Sequence, residues 1–247
     1  MHFVSFDGAK IACTEMGSGE PLLLIHGLFS NAHTNWVKYG TAEKLAAAGW
    51  RVIMPDLRGH GGSDAPPEES GWPDEVLAMD AEALIAHLGL GNDLIIGGYS
   101  LGARTTVRLL ARGLRPRAAI LAGMGLEGII GAAGRSDWFI RLIDGLDGWK
   151  PGDPQFMAAA FLKANIPDPK PLLHLLRQQK NTDTATLAEF NFPTLVVCGV
   201  DDDDNGSAPA LADALPQGQY AEIPGNHMAS VTKPELADAM LRFLAGL

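Results

Sequence analysis

A doubly wound α/β fold, a mostly parallel sheet with helices on both faces, is what three features of this 247-residue sequence predict. Short apolar runs alternate with helical patterns along most of the chain. The runs lack the in-and-out alternation of a half-exposed strand, as expected when both faces of a sheet are covered. The helical patterns end in glycine, the residue that most readily takes the left-handed turn closing a helix. With 47% hydrophobic and 19% charged residues the composition is that of an ordinary globular domain, and the length suits one large α/β domain carrying an insertion.

The chain should open antiparallel, because Phe3–Phe6 and Ile11–Glu15 flank Asp7-Gly8, a strong hairpin signal. Four runs then read as buried strands: Leu22–Ile25, Val52–Met54, Leu94–Ile96 and Ala118–Leu121. Between them, residues 41–48, 74–88 and 101–111 read as helices stopped by Gly49, Gly89 and Gly113. From 125 to 191 the strand signal disappears, leaving helical patterns broken by prolines. A stretch of that length is too long for a loop, so it is expected as a helical lid. Its aromatics Trp138, Trp149, Phe156 and Phe161 are expected to form a small core of their own. Leu195–Cys198, Tyr220–Ile223 and a helix from Pro234 to Leu244 resume the earlier rhythm, so the core comprises 1–124 and 192–247 around a lid at 125–191.

The 29 acidic residues exceed the 19 lysines and arginines, giving a formal charge of −10 with no basic run. A nucleic-acid partner needs concentrated positive charge and is not expected. Cys13 and Cys198 are the two cysteines and lack metal-ligand spacing, so neither a disulfide framework nor a metal centre is expected. Charges at Asp7, Lys10 and Glu15 interrupt the first apolar stretch, and no run is long enough to span a bilayer. The expectation is a cytoplasmic protein with no membrane association.

Chemistry is concentrated at Gly98-Tyr99-Ser100-Leu101-Gly102, a G-x-S-x-G sequence following a strand and opening a helix. So tight a turn holds its central residue in strained backbone angles and leaves no room for side chains two positions away, where both residues are glycine. Ser100 would then project above the carboxyl edge of the sheet, where open α/β sheets bind ligands. A serine nucleophile needs a base, and the base needs a carboxylate to orient it. His227 follows the last strand, and Asp201, Asp202, Asp203 and Asp204 follow the strand before it. Most of that acidic run must be solvated surface.

In these blocks the chain resembles the α/β-hydrolase fold serine hydrolases: His26-Gly27, the segment Pro55–Asp64, the elbow, Gly199-Val200-Asp201-Asp202 and Gly225-Asn226-His227 occur in family order. The resemblance implies a triad of Ser100, Asp202 and His227, with Asp201 and Asp203 as the alternatives for the acid. It also implies an oxyanion hole made by the backbone N–H groups of Leu28 and Leu101. The implied activity is cofactor-independent cleavage of a small or medium carboxylic ester, the partner being a small-molecule acyl substrate. Rival readings are another acyl bond (lactone, thioester, or carbon–carbon next to a carbonyl) and a ligand receptor on a hydrolase scaffold. Phe29, His33, Tyr99, Trp138 and Phe161 are candidates for the pocket. His26 and His60 are expected to shape loops, His87 to lie on an amphipathic helix, and Arg58 and Asp64 to bond locally.

Two further patterns point elsewhere. Gly123–Gly128 matches G-x-G-x-x-G but lacks the prompt second strand and acid of a dinucleotide site. Asp201, Asp203, Asn205 and Gly206 match half of a calcium loop, but Ala212 stands where a bidentate glutamate is required.

Overall fold

The computed structural model describes residues 1–247. Its strands are β1 (His2–Val4), β2 (Lys10–Met16), β3 (Glu20–Ile25), β4 (Trp50–Pro55), β5 (Ile95–Tyr99), β6 (Ala118–Ala122), β7 (Thr194–Gly199) and β8 (Gly218–Ile223). They form one sheet in the order β1-β2-β4-β3-β5-β6-β7-β8. The β1–β2 and β2–β4 pairs are antiparallel and the other five pairs are parallel. The opening hairpin and the buried parallel strands are thus where the hydrophobic runs placed them.

Helices α1 (Thr41–Ala47), α2 (Val76–His87) and α3 (Leu101–Ala111) provide the first crossovers. Between β6 and β7 come α4 (Leu126–Ile130), α5 (Ala132–Asp144), α6 (Phe156–Asn165), α7 (Leu172–Arg177) and α8 (Thr184–Leu187), with no strand among them. The chain closes with α9 (Ala208–Asp213), α10 (His227–Ser230) and α11 (Pro234–Leu244). Helix α9, capped by the Ser207 hydroxyl, has no counterpart in the sequence reading. Helix α2 starts two residues later than expected because Glu75 takes a left-handed backbone, φ 62°.

Alternate residues of each strand feed opposite faces of the sheet. Leu22, Leu24, Val52 and Met54 pack under α1 and α11, whereas Leu23, Ile25, Ile53, Ile96 and Leu121 pack under α2 and α3. The second layer continues without a break into Leu142, Leu162, Leu172 and Leu175 of the inserted helices. Trp138, Trp149 and Phe161 are half-buried against that same layer, so the expected separate lid core is corrected: the insertion closes over the main core. Apolar faces of short helices gain more by joining an existing core than by building one of their own. No helix is long and apolar enough to cross a membrane.

The loops after β3 and β4 are tied to each other by two histidines. His26 Nε2 accepts the Leu57 amide at 2.8 Å, and His60 Nε2 accepts the Phe29 amide at 3.1 Å. Accepting at Nε2 requires the proton on Nδ1, which donates to the Gly27 carbonyl from His26 and to the Arg58 carbonyl from His60. Both rings are therefore neutral. Burial is the main cause of their low pKa values, about 4 for His26 and about 3 for His60, and the closeness of His26 further disfavours a proton on His60. The loop-shaping role read from the sequence holds, and the local bonding expected of Arg58 and Asp64 is confined to their backbone carbonyls, which accept from His60 Nδ1 and the Gly59 amide, while their side chains reach distant partners. Arg58 is fully buried and bridges Asp80 of α2 to Asp7 of the hairpin turn. Asp64 accepts the Lys10 amide across 54 residues of sequence.

The pH dependence follows. The unfolded chain takes up protons near the ordinary histidine value of 6.5, while the folded chain refuses them until about pH 4 and 3. Stability is level above that ordinary value and falls below it, by about 2 kcal/mol per ring at pH 5. Urea unfolding between pH 7 and 5 should show this slope, and His60→Gln, which leaves His26 in place, should roughly halve it; a wild-type stability constant over that range contradicts the assignment.

Candidate active site

The turn between β5 and α3 is set by backbone approach. Ser100 has φ 54° and ψ −111°, a left-handed conformation that a side-chain-bearing residue rarely adopts. Its amide donates to the Ala122 carbonyl of β6 at 2.9 Å, and its carbonyl accepts the Arg104 amide, starting α3. A Cβ on Gly98 would lie 2.3 Å from the Gly102 carbonyl carbon, and one on Gly102 would lie 2.0 Å from the Ile25 oxygen. Both glycines are thus required by contact. They let the helix begin directly against the end of β3.

Held there, the Ser100 hydroxyl lies 3.0 Å from His227 Nε2 and donates to it. His227 Nδ1 donates to Asp202 Oδ2 at 2.9 Å. The sequence placed His227 in a turn; it is the first residue of α10, whose N-cap Asn226 accepts the Ala229 amide. Asp202 is the buried member of the acidic run, and Asp201, Asp203 and Asp204 are exposed. Burial pushes its carboxyl up. Hydrogen bonds from His227, from the Cys198 thiol at 3.4 Å and from the Asp204 amide outweigh that and keep it ionised, below the usual range. Burial and the adjacent Asp202 charge raise the Cys198 thiol to about 12, so it stays protonated and donates.

The Leu28 and Leu101 amides make no hydrogen bond within the chain. Leu28 follows Gly27, whose Cβ direction meets Ser100 Cβ at 3.5 Å, and the Gly27 amide is fixed by Asn35 Oδ1 at 3.0 Å. Two free donors therefore flank the serine, one from the β3 loop and one from the first turn of α3. Asn35, which no sequence signal marked, holds the first of these turns.

Of the pocket candidates, Tyr99 is corrected. It is buried on the opposite face of β5, with its hydroxyl 2.7 Å from both the His227 carbonyl and Ser230 Oγ. It braces the histidine turn from below. His33 is exposed at the start of a short π-helix, His33–Val37. Phe29 is buried, with a left-handed φ of 60°, its amide on His60 and its ring edge-on to Phe139 at 5.8 Å. Phe139 in turn meets Trp138 at 4.9 Å, so an aromatic ladder runs from the Leu28–Phe29 turn into α5. Phe161 is half-buried on α6, and its carbonyl accepts from Asn165.

The two other patterns also acquire physical reasons. Gly123, Gly125 and Gly128 give room to the Tyr99 ring, the Gly206 carbonyl and Asn205 respectively. Asn205 is buried and fully engaged: its amide group donates to the Gly123 carbonyl, its side-chain oxygen accepts from Arg104 and its carbonyl accepts the Gly128 amide. It joins the loop after β7 to α3, a use that leaves no side-chain oxygen for calcium. Asp202, Asp204 and His227 have donor atoms within 4.8 Å of one another, but Asp202 Oδ2 and His227 Nδ1 are already spent on each other.

The sequence pattern of the alpha/beta hydrolase fold matches residues 20–177. Lipase 3 of a Moraxella species is 27% identical over 226 residues, covering 82% of this chain and 69% of that protein. Bifunctional epoxide hydrolase 2 of Sus scrofa is 39% identical over 90 residues, and a putative non-heme chloroperoxidase of Synechocystis is 36% identical over 98. Those two matches span 16% and 33% of the relatives' lengths. Among solved structures, an esterase of Thermogutta terrifontis superposes over 100% of this chain and 98% of its own, with a TM-score of 0.79 at 24% identity. A Rhodococcus esterase superposes over 100% and 98%, with a TM-score of 0.74 at 27% identity.

The 2.0 Å approach at Gly102 makes a direct prediction. Gly102→Ala should destabilise the protein by more than about 3 kcal/mol, in the range of severe backbone and packing faults, as read by urea unfolding. A near-wild-type midpoint would refute the close approach.

Proposed function

The chain belongs to the alpha/beta hydrolase fold family, and on that footing we propose that it is a serine hydrolase cleaving small or medium carboxylic esters through an acyl-enzyme. The observation that carries this reading is the unbroken relay from Ser100 Oγ through His227 to Asp202, at 3.0 and 2.9 Å, on a strained elbow. In the first half-reaction Oγ bonds to the ester carbonyl carbon while its proton passes to His227 Nε2. Asp202 holds the imidazole in the Nδ1–H tautomer and stabilises the imidazolium. The carbonyl oxygen takes up negative charge and is met by the Leu28 and Leu101 amides, a contribution of roughly 3 kcal/mol per donor. Collapse expels the alcohol, which leaves with the Nε2 proton. Water, deprotonated by the same nitrogen, then attacks the acyl carbon, and Ser100 departs reprotonated.

Phe29, Phe139 and Trp138 border the proposed oxyanion turn and favour an apolar acyl group there. On this reading, the helices between β6 and β7 act as the lid that sets substrate choice. The epoxide hydrolase and dehalogenase among the relatives do not redirect the proposal, because a serine at position 100 calls for acyl transfer rather than alkyl displacement by a carboxylate.

Wild-type protein should react with a fluorophosphonate probe at Ser100 and hydrolyse nitrophenyl esters of graded acyl length. Ser100→Ala should fold normally and lose turnover by about a million-fold. Ester cleavage persisting in that variant, or folded protein that never labels, would sink the proposal and leave the receptor reading.

Asp202→Asn should lower turnover by roughly 10⁴-fold, since an amide orients the wrong tautomer. If Asp203→Asn has that effect instead, the acid has been misplaced by one position.

A further inference from the structure

The helices inserted between β6 and β7 are fastened to the α/β core unevenly. At α4 the Leu126 amide donates to the Ser207 carbonyl, the Gly128 amide donates to the Asn205 carbonyl, and Glu127 accepts the Ser207 amide. Beyond α7, Arg108 of α3 donates to the Thr182 hydroxyl at 2.9 Å. The stretch between, 132–171, holds α5 and α6 and has a single hydrogen bond to the core and no ion pair with it.

That bond runs from Thr34 Oγ1 to Asn165 Oδ1 at 3.3 Å, between two half-buried residues 131 positions apart. Its direction is fixed at both ends. Asn165 Nδ2 donates to the Phe161 carbonyl at 2.8 Å, so the amide oxygen is the atom that faces Thr34. The Thr34 amide donates to Asn31 Oδ1 at 2.7 Å, which holds the residue in its loop. Thr34 also precedes Asn35 in the short π-helix, a rare geometry that recurs at functional sites. Asn35 Oδ1 accepts the Gly27 amide, and the next amide along is that of Leu28, which has no partner in the chain. A second contact reaches the same turn from α5, where Phe139 packs edge-on against Phe29 at 5.8 Å. With φ at 60°, Phe29 is held in a backbone conformation that a bulky residue avoids. The insertion therefore grips this loop at two points, 29 and 34, close to the free Leu28 donor.

We propose that Thr34 and Asn165 are positioning residues, a latch through which the placement of α5 and α6 sets the aim of the Leu28 amide. The path is contiguous: Asn165, Thr34, its neighbour Asn35, the Gly27 amide and then the Leu28 N–H. With the latch closed, the donor is held where a developing oxyanion needs it. With the latch open, α5 and α6 keep only apolar contacts with the core, and the turn loses a restraint. The link between insertion and loop comes from the geometry alone, whereas its effect on turnover rests on the serine-hydrolase reading.

Hydrogen exchange of the intact protein, read by mass spectrometry, tests the link without catalysis. Asn165→Ala should speed exchange both in α5 and α6 and in residues 27–37, by roughly fivefold, the effect of one net hydrogen bond. Thr34→Val keeps the shape, loses the hydroxyl and should do the same, while Thr34→Ser should restore the wild-type pattern. The double variant Asn165→Ala, Thr34→Val should be no worse than either single one. Wild-type exchange at 27–37 in Asn165→Ala, or additive effects in the double variant, overturns the latch. Kinetics on nitrophenyl butyrate read the consequence. Asn165→Ala and Thr34→Val should each lose kcat by roughly fivefold with KM unchanged, because a misaimed oxyanion donor is felt in the transition state, and Thr34→Ser should recover it. A loss confined to KM, or an unaltered kcat, overturns the positioning role. Wild-type protein that neither labels with fluorophosphonate nor cleaves esters would remove the hydrolase reading, and the exchange data would still decide the latch.

Discussion

Steric exclusion at the strand-to-helix turn governs the rest of the molecule. Because Gly98 and Gly102 carry no side chain, the carbonyl end of β3 and the first turn of α3 come into backbone contact, and Ser100 is forced to φ 54°. A left-handed serine costs on the order of 1–3 kcal/mol and persists only where its surroundings over-determine it. Here they do: β6 holds its amide, α3 holds its carbonyl, and β5 and β6 are buried along their whole length. The strain leaves the hydroxyl on the open edge of the sheet and the next amide without an internal acceptor.

Around that turn, each loop reaching the site is anchored by a side chain from a different element. His26 and His60 join the β3 and β4 loops reciprocally, Asn35 fixes the Gly27 amide, Tyr99 supports the histidine turn from beneath, and Asn205 connects the acid loop to α3 through Arg104. Each bond satisfies a buried polar group that would otherwise cost about 1–3 kcal/mol. Cooperative positioning of this kind lets residues 100, 202 and 227 share one relay.

What could be read beforehand divides along the range of the interaction. The sheet, its crossovers and the serine turn were legible because they are written in local patterns: apolar runs, glycine stops and a five-residue motif whose chemistry demands its context. Asp202 was legible only through its spacing after β7, since four neighbouring aspartates look alike until one is buried. Tyr99 was misread because strand alternation sends it to the face opposite the open edge. Arg58 was misread because its partners lie 51 and 22 residues away, and no local pattern announces such a pairing. The lid aromatics were assigned to a core of their own because periodicity reports that a helix face is apolar, not which neighbour will cover it.

The pairing of β6 with β7 has a consequence for how this architecture diversifies. Ala119 lies beside Thr194, so the sheet is continuous across a detour of more than seventy residues. The entropic penalty of closing such a loop grows only logarithmically, each doubling of its length adding about 0.6 kcal/mol. Insertions, deletions and wholesale exchange of the intervening helices therefore weigh little on the register of the two strands, as long as an apolar underside remains to seal α2 and α3. Evolution can remodel the roof of the molecule while its floor stays fixed.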